Sequence, residues 1–333
     1  MEEIIMLSHG NGGEKTRKLI EEEILKYFGN EILIDLFDSA ILEIKGKLAF
    51  TTDSFVISPI FFNGGDIGKL SIYGTINDLS VMGATPLYLS VSFIIEEGLP
   101  LKDFRKILES MRDAALDCNI KIVTGDTKVV EKGKGDYIYI NTAGIGILEE
   151  HRDWRERKIE EGDLVIINGG IGEHGVCIML ERLGINTSSE IKSDLAPLYR
   201  ITLPLLDKFT GVKFMRDPTR GGVATTLNEV SKKYHVDIEI FEESLPIKDW
   251  VRKSSEILGI DPLYIANEGK VLIIASKNEG EKIVNFLRQF PEGKDARIIG
   301  EIKGRGEKVY LRTTLGTRRI LDTLKKELLP RIC

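Results

Sequence analysis

Apolar residues in the first half of the chain follow two different periods. Strand-like alternation or continuous apolar character marks five segments, which are 40–44, 48–52, 87–95, 120–124 and 137–147. Segments 66–82 and 101–118 instead repeat their apolar residues at helical spacing. A period of two predicts strands and a period near 3.6 predicts helices. We therefore expect a mixed sheet with helices packed on one of its faces.

The second half repeats this mixture, so the fold class is predicted to be α/β of the α+β type. Strands are expected at 164–168, 236–241, 271–275, 297–302 and 309–312, and helices include 218–233 and 279–290. Between 151 and 162 the chain is charged and nearly devoid of large apolar residues, which is typical of a domain boundary. This predicts an N-terminal domain at 1–150, a C-terminal domain at 151–320, and a helix end with a flexible tail at 321–333.

Composition narrows the class of protein. With 333 residues, of which 42% are hydrophobic and 29% charged, the chain is long enough for two globular domains. A net charge of −6 argues against a nucleic-acid partner. No apolar run approaches the roughly 20 residues that cross a bilayer, and Met1-Glu2-Glu3 is a poor start for a signal peptide. We expect a cytoplasmic protein without a membrane partner.

Three cysteines occur, and they differ in their surroundings. Cys118 and Cys177 lie in helical apolar patterns, so we expect buried, inert thiols. Cys333 ends the chain behind Pro330, which follows a helical pattern made by Leu321, Leu324 and Leu328. Because proline cannot continue a helix, the last thiol should lie on a short arm. Such an arm can be loaded in one site and presented to another; the alternative is an accidental terminal residue.

Three aspartates close or follow apolar runs, namely Asp53, Asp78 and Asp126. Magnesium prefers carboxylate oxygens together with phosphate oxygens and water, so these residues predict a site for Mg²⁺ and ATP. Lys128 shares a face with Asp126 if that segment is extended, and its charge would stabilise a transferring phosphoryl group. Taken singly, each aspartate is explained equally well as a turn or cap residue.

Glycine-rich segments point in the same direction. Residues 8–13, which include Gly12 and Gly13, precede a helical pattern, and residues 63–69 precede the helix that carries Asp78. Glycines let the backbone approach phosphate, although neither segment has the Walker A spacing and a plain turn remains the alternative.

Charged residues of the second half add further candidates. The Asp217-Pro218 pair is explained by a helix start, whereas Arg216 and Arg220 are free to hold phosphate or carboxylate. Glu268 is a candidate general base, with simple surface exposure as its alternative.

Taken together, these segments resemble the ATP-binding half of the AIR synthase (PurM-like) superfamily. The resemblance is carried by residues 51–54, 64–70, 74–79, 82–84 and 125–128. Residues 216–222 and the ending Pro330-Arg331-Ile332-Cys333 narrow it to the HypE family of hydrogenase maturation factors. The resemblance implies a homodimer formed through the sheets of the first domain, and a metal site for Mg²⁺ with ATP at Asp53, Asp78 and Asp126. It also implies nucleotide contacts from Asp66, Lys69, Asn77, Thr127, Gly12 and Gly13.

The same resemblance implies a reaction. The carbamoyltransferase HypF would load a carbamoyl group onto Cys333, ATP would phosphorylate the carbamoyl oxygen, and loss of phosphate would leave an S-cyanated cysteine. Cyanide would then pass to iron on the HypC and HypD scaffold. Lys128 would stabilise the phosphates and Glu268 would remove protons from nitrogen. Two alternatives stay open: a non-catalytic thiol scaffold, and a superfamily enzyme that acts on a free small molecule.

Overall fold

The computed structural model describes residues 4–185 and 190–323. Within these ranges the strands form a four-stranded sheet, a seven-stranded sheet and a two-stranded ribbon. The four-stranded sheet belongs to the first half of the chain and the seven-stranded sheet to the second. Helices accompany both sheets, which confirms the predicted mixed α/β fold class.

The first half contains six strands and four α-helices among its described residues. Its strands are β1 (Lys47–Phe55), β2 (Phe61–Phe62), β3 (Gly65–Asp66), β4 (Ala84–Glu96), β5 (Lys121–Val130) and β6 (Ile138–Leu148). Its helices are α1 (Glu14–Lys18), α2 (Leu25–Phe28), α3 (Ile67–Val81) and α4 (Leu101–Asp117), with π-helical turns at Leu19–Ile24 joining the first two.

The four-stranded sheet has the order β1-β6-β4-β5, in which β4 and β5 are parallel and the other pairs antiparallel. Helix α3 packs on β1, β4 and β6, and α4 packs on α3 and β5, so helices cover one face as predicted. The opposite face leaves Leu48, Phe50 and Ile94 exposed by 50%, 70% and 43%. That open, apolar face is available for a further protein surface.

Helix α3 is buried on almost all sides. Asp66 caps its first turn, because its Oδ1 accepts hydrogen bonds from the backbone N–H groups of Gly68 at 2.7 Å and Lys69 at 3.1 Å. Towards the other end, the Asn77 side chain donates to the carbonyls of Ala196 and Glu268 in the second half of the chain. The helix therefore lies between the first sheet and the second half, which explains its lack of a polar face.

The second half contains seven strands and five α-helices among its described residues. Its strands are β7 (Leu164–Ile167), β8 (Val212–Arg216), β9 (Val236–Phe241), β10 (Leu272–Ala275), β11 (Arg297–Arg305), β12 (Val309–Arg312) and β13 (Arg318–Ile320). Its helices are α5 (Glu173–Arg182), α6 (Tyr199–Lys208), α7 (Gly222–Tyr234), α8 (Asp249–Leu258) and α9 (Gly280–Leu287). The sheet order is β13-β12-β9-β11-β7-β10-β8, with β9 and β12 parallel and the other neighbours antiparallel.

Three predicted elements differ from the structure. Residues 40–44 form no strand, and Ile41 is 87% exposed, so apolar alternation there has no partner strand to pair with. The helix expected from Pro218 begins at Gly222. Residues 321–323 are not helical, since the Leu321 amide donates to the carbonyl of Val309 beside the sheet. The remainder of the predicted terminal helix lies outside the described residues.

Candidate active site

Four acidic side chains from both halves of the chain surround one region. Asp53 comes from β1 and Asp78 from the C-terminal part of α3, while Asp217 follows β8 and Glu268 precedes β10. Asp78 and Asp217 line a cleft of about 510 Å³ together with Thr51. The charges of these carboxylates affect one another's pKa, which places them within electrostatic reach.

Hydrogen bonds orient the two aspartates of the first domain. Side chains alternate along β1, so Thr51 and Asp53 lie on the same, helix-covered face. The Thr51 hydroxyl donates to Oδ2 of Asp78 at 2.8 Å, and the Arg220 guanidinium donates to Oδ1 of Asp53 at 3.0 Å. The strand and the helix therefore present both carboxylates to a shared space.

The pKa values in this group are shifted by burial and by like charge. Burial raises the pKa of Asp78, and the charge of Asp53 raises it further. Burial and the charge of Asp78 raise the pKa of Asp217 to about 7. The pKa of Glu268 is raised well above its ordinary range, first by burial and then by Asp217. Arg216 and Arg220 offset these shifts only in part, and a group of carboxylates whose pKa values stay raised is a favourable place for a cation.

This donor set fits magnesium bound together with phosphate. Among residues 4–185 and 190–323, no three His, Cys, Asp or Glu side chains converge closely enough to hold a metal ion by themselves. Mg²⁺ is usually held by one or two carboxylates, with phosphate and water completing the octahedron. The repulsion among Asp53, Asp78 and Asp217 would be relieved by such a cation.

Glu268 is enclosed beside these aspartates. Its side chain is 2% exposed, and within the described structure its Oε1 atom has no hydrogen-bond partner. Its backbone is fixed from two sides, because its N–H donates to Oδ1 of Asp194 at 3.1 Å and its carbonyl accepts from Asn77 at 3.1 Å. The expected alternative of surface exposure is wrong, because the Glu268 side chain is buried on a backbone that is fixed from both sides.

Asp126 does not join this group within one chain, which corrects the expectation of three converging aspartates. Asp126 on β5 lies opposite Ser92 on β4, which lies opposite Asn141 on β6. Asn141 in turn lies opposite Ser54 on β1, so this row of paired residues crosses the whole sheet. The two edges are three strand spacings apart, about 14 Å. Paired residues share a face, so Asp126 lies on the open face with Ser54, whereas Asp53 lies on the covered face.

Lys128 does share the open face with Asp126, as the sequence predicts for an extended segment. Its Nζ lies 2.9 Å from Oδ1 of Asp126, and this contact lowers the pKa of the carboxyl group. Thr127 points the other way: its side chain is buried and its strand partner is the core residue Phe93. We therefore drop Thr127 from the nucleotide ligands, and Asp126 with Lys128 forms a separate charged pair.

The first glycine-rich loop lies beside this pair. A methyl group on Gly10 would meet the backbone nitrogen of Val129 at 2.4 Å, so the loop packs directly against β5. Gly12 has a φ of +80°, which favours glycine, and its N–H donates to the Thr16 hydroxyl. The structure thus brings Gly12 and Gly13 to the edge that carries Lys128.

Two other predicted nucleotide ligands lie at the far end of α3. Asp66 is the helix cap, and the Lys69 ammonium lies 5.4 Å from the centre of the Tyr73 ring. Asp78 lies eleven positions after Ile67 along the helix, so the two residues are about 16 Å apart along the helix axis. Asp66 and Lys69 instead line a different cavity of about 830 Å³, so the structure does not bring these two side chains to the carboxylate cleft.

Asn77 has a structural set of contacts. Besides its two donated bonds, its Oδ1 accepts from the Leu198 N–H at 2.7 Å, and the side chain is buried. Because its amide is engaged on both ends, we drop Asn77 from the nucleotide ligands.

Asp217 is the site residue that sequence reasoning missed. It was explained as a helix cap, but α7 begins at Gly222 and is preceded by Gly221. The unused signal was the pair of arginines flanking Asp217, which a cap does not require.

The three cysteines lie apart from the cleft or outside the structure. Cys118 and Cys177 are buried free thiols as predicted, and burial raises the pKa of each to about 12. Cys333 lies outside the described residues. The chain leading to it is fixed at Leu321, which is fully buried and whose carbonyl accepts from Asn228 on α7 at 2.8 Å.

None of the described helices combines the length and the apolar composition that spanning a membrane requires.

The fold matches two known domain families. Residues 37–148 match the N-terminal domain of AIR synthase related proteins, and residues 160–312 match their C-terminal domain. The paired domains and the carboxylate cleft between them define the class as AIR synthase related.

Individual relatives narrow this class. The chain is 43% identical over 332 residues to the carbamoyl dehydratase HypE of Cupriavidus necator, covering 99% of this chain and 95% of the relative. It is 41% identical to a crystal structure of hydrogenase maturation protein HypE in complex with ATP, with a TM-score of 0.95 over 98% of this chain and 99% of that one. The chain is also 45% identical to a chain in a crystal structure of a HypE–HypF complex, with a TM-score of 0.79 over 92% of this chain and 99% of that one.

The chain belongs to the HypE family, as the resemblance predicted. It is an enzyme of the carbamoyl dehydratase type, with a role in hydrogenase maturation.

Proposed function

We propose that this protein uses ATP to dehydrate a carbamoyl group carried on Cys333, which leaves an S-cyanated cysteine that supplies cyanide for hydrogenase iron. The observation that carries the proposal is the group formed by Asp53, Asp78 and Asp217, with Glu268 enclosed beside them. Such a group suits a divalent cation and the phosphates bound to it. The solved HypE complex with ATP supports the same nucleotide here.

The proposed reaction balances. The carbamoyl oxygen attacks the γ-phosphorus of ATP and ADP leaves. The carbon–oxygen bond then breaks, phosphate departs, and the nitrogen gives up two protons as the carbon–nitrogen triple bond forms. One proton ends on phosphate and the other is released. Phosphorylation is needed because the oxygen of an amide-like group is otherwise a poor leaving group.

Each residue of the cleft has a defined task in this proposal. One or two of the carboxylates of Asp53, Asp78 and Asp217 would bind Mg²⁺ together with phosphate, and the ion would supply charge neutralisation at the phosphates. Glu268 would accept a proton from nitrogen while it is ionised, since burial and the neighbouring carboxylates raise its pKa and so strengthen it as a base.

We propose that Asp126, Lys128 and the Gly12–Gly13 turn act on the nucleotide bound by a second subunit. Within one chain they lie on the opposite edge and face of the sheet from Asp53. A homodimer that buries the open face, with its exposed Leu48 and Phe50, would bring the β5 edge of one subunit to the β1 edge of the other.

The proposal includes partners and a domain division. HypF would load the carbamoyl group, which the solved HypE–HypF complex supports, and the HypC–HypD scaffold would receive cyanide. The passage between the two domains is placed at 151–162, between the last strand of the first sheet and the first strand of the second.

Mass spectrometry of the C-terminal peptide tests the reaction. The protein is loaded by a HypF-type carbamoyltransferase, freed of that enzyme, and incubated with ATP and Mg²⁺. We expect the carbamoylated peptide to lose the mass of one water in wild type but not in Asp78→Asn.

Two controls make the result interpretable. Cys333→Ala should bind ATP as wild type does while carrying no carbamoyl group. A carbamoylated peptide that stays unchanged although wild type binds Mg–ATP would contradict the dehydratase assignment and favour the thiol scaffold.

A further inference from the structure

Arg220 holds the carboxylate that the proposed metal ion requires. Its guanidinium donates to Oδ1 of Asp53 at 3.0 Å and forms an ion pair with that carboxylate. The Arg220 side chain is 79% exposed, whereas that of Asp53 is 22% exposed. An exposed ion pair of this kind is weak and easily exchanged. The Arg220 guanidinium, on a long exposed side chain, thus contacts the Asp53 oxygen that a metal ion would otherwise bind.

The second arginine of the segment is engaged elsewhere. Arg216 forms an ion pair with Glu229 on α7 and does not contact Asp53. Arg220 is followed by Gly221 and Gly222, whose φ angles are +67° and +63°. Side chains at these two positions would collide with Thr225 and with the carbonyls of residues 263 and 265, so the backbone path is fixed. The freedom of Arg220 therefore lies in its long side chain.

We propose that Arg220 exchanges partners during nucleotide binding, in a step that rests on the function proposed above. In the free protein it neutralises Asp53 in place of the metal ion. When the divalent cation takes Asp53, like charge repels the guanidinium, which turns to the phosphate oxygens brought by the same nucleotide. The planar guanidinium suits phosphate because it can donate two parallel hydrogen bonds.

Opposite effects on two titrations test this exchange. Mn²⁺ alone is titrated into nucleotide-free protein and followed by the paramagnetic resonance signal of the free ion, and Mg–ATP is titrated by calorimetry. In Arg220→Gln we expect Mn²⁺ to bind about 2–5-fold more tightly, because Asp53 has lost its competitor. We expect Mg–ATP to bind about 10-fold more weakly, because the phosphate contact is lost.

Two further variants sharpen the test. Arg220→Lys keeps the positive charge but cannot donate two parallel hydrogen bonds from a planar group. Its Mn²⁺ affinity should therefore stay within about twofold of wild type, and its Mg–ATP affinity should lie between those of Arg220→Gln and wild type. Arg319→Gln removes a similar exposed pair, Arg319 with Asp261 at 3.1 Å, outside the cleft and should change neither titration.

Two results of these titrations would contradict the exchange of Arg220 between Asp53 and phosphate. If Arg220→Gln does not bind Mn²⁺ more tightly than wild type, or if both affinities fall together, Arg220 does not exchange between Asp53 and phosphate. Failure of wild type to bind Mg–ATP at all would overturn the proposed function as well.

Discussion

The buried thiols of Cys118 and Cys177 make a clear prediction about reactivity. Burial raises the pKa of each to about 12, so at pH 8 about one thiol in ten thousand is ionised. Iodoacetamide should therefore leave Cys118 and Cys177 unmodified in the folded protein, and peptide mapping should find both modified after denaturation. Rapid labelling of Cys118 or Cys177 in the folded protein would contradict this.

Asp78 illustrates a conflict between stability and function at a single residue. Its charge is disfavoured by burial and by Asp53. We expect Asp78→Asn to raise the free energy of unfolding by about 1 kcal/mol at pH 8 without Mg²⁺, because the amide still accepts the Thr51 hydrogen bond and carries no charge. Urea denaturation measures this change, and calorimetry should show the loss of Mg–ATP binding in the same variant. A destabilised Asp78→Asn would argue against repulsion at the site.

Individual residues also show where sequence reasoning succeeds. The helical spacing of 66–82 predicted α3, and the structure has that helix, with Asp66, an expected nucleotide contact, as its cap. Glu268 was recognised by its residue type, but its enclosure depends on contacts with Asn77 and Asp194 from distant parts of the chain. Local spacing carries no information about such contacts.

At the scale of elements, Lys47 at the start of β1 is tied to the segment that follows the first sheet. Its Nζ lies 2.7 Å from Oδ2 of Asp153, and Arg155 binds both oxygens of the same carboxylate. Arg155 and then Lys47 hold the pKa of Asp153 well below its ordinary range. A carboxyl group with a lowered pKa stabilises the folded state above its unfolded pKa, and this stabilisation is lost as the pH falls.

Replacing Asp153 by Asn tests this tie. At pH 7 the variant should lose about 1 kcal/mol of stability, a modest amount because the pair is near the surface. The difference from wild type should shrink as the pH falls below about 4, where the unfolded carboxyl group is protonated. Chemical denaturation at several pH values measures it. A difference that grows in acid would have the wrong sign.

Strand order explains the main error of the sequence analysis. Asp53, Asp78 and Asp126 each follow an apolar segment, and that pattern predicted convergence. The sheet order β1-β6-β4-β5 places β1 and β5 at opposite edges, and pairing register decides the face. Neither property follows from residue spacing. The strand expected at 40–44 failed for the same reason, since alternation does not supply a neighbouring strand.

At the scale of the whole molecule, the proposed sharing of each site between two subunits predicts complementation between inactive variants. Asp78→Asn and Asp126→Ala should each be inactive alone. A mixed dimer would contain one cleft with both defects and one with neither. Random mixing in equal amounts should restore about a quarter of wild-type dehydration, measured on the C-terminal peptide.

The control for this experiment pairs two changes from the same edge. Asp78→Asn mixed with Asp53→Asn should stay inactive, because every cleft keeps a defect. If neither mixture recovers activity, each subunit completes its own site.

The burial of Leu321 limits how far the sulfur of Cys333 can lie from the second sheet. Ten residues separate Thr323, the last described residue, from Cys333, a leash of at most roughly 35 Å. One thiol confined to a sphere of that radius has a local concentration on the order of millimolar. In the proposed function, a carbamoyl group on this thiol would therefore compete well with free carbamoyl compounds, and each residue inserted between Thr323 and Cys333 would lower its local concentration by enlarging that sphere.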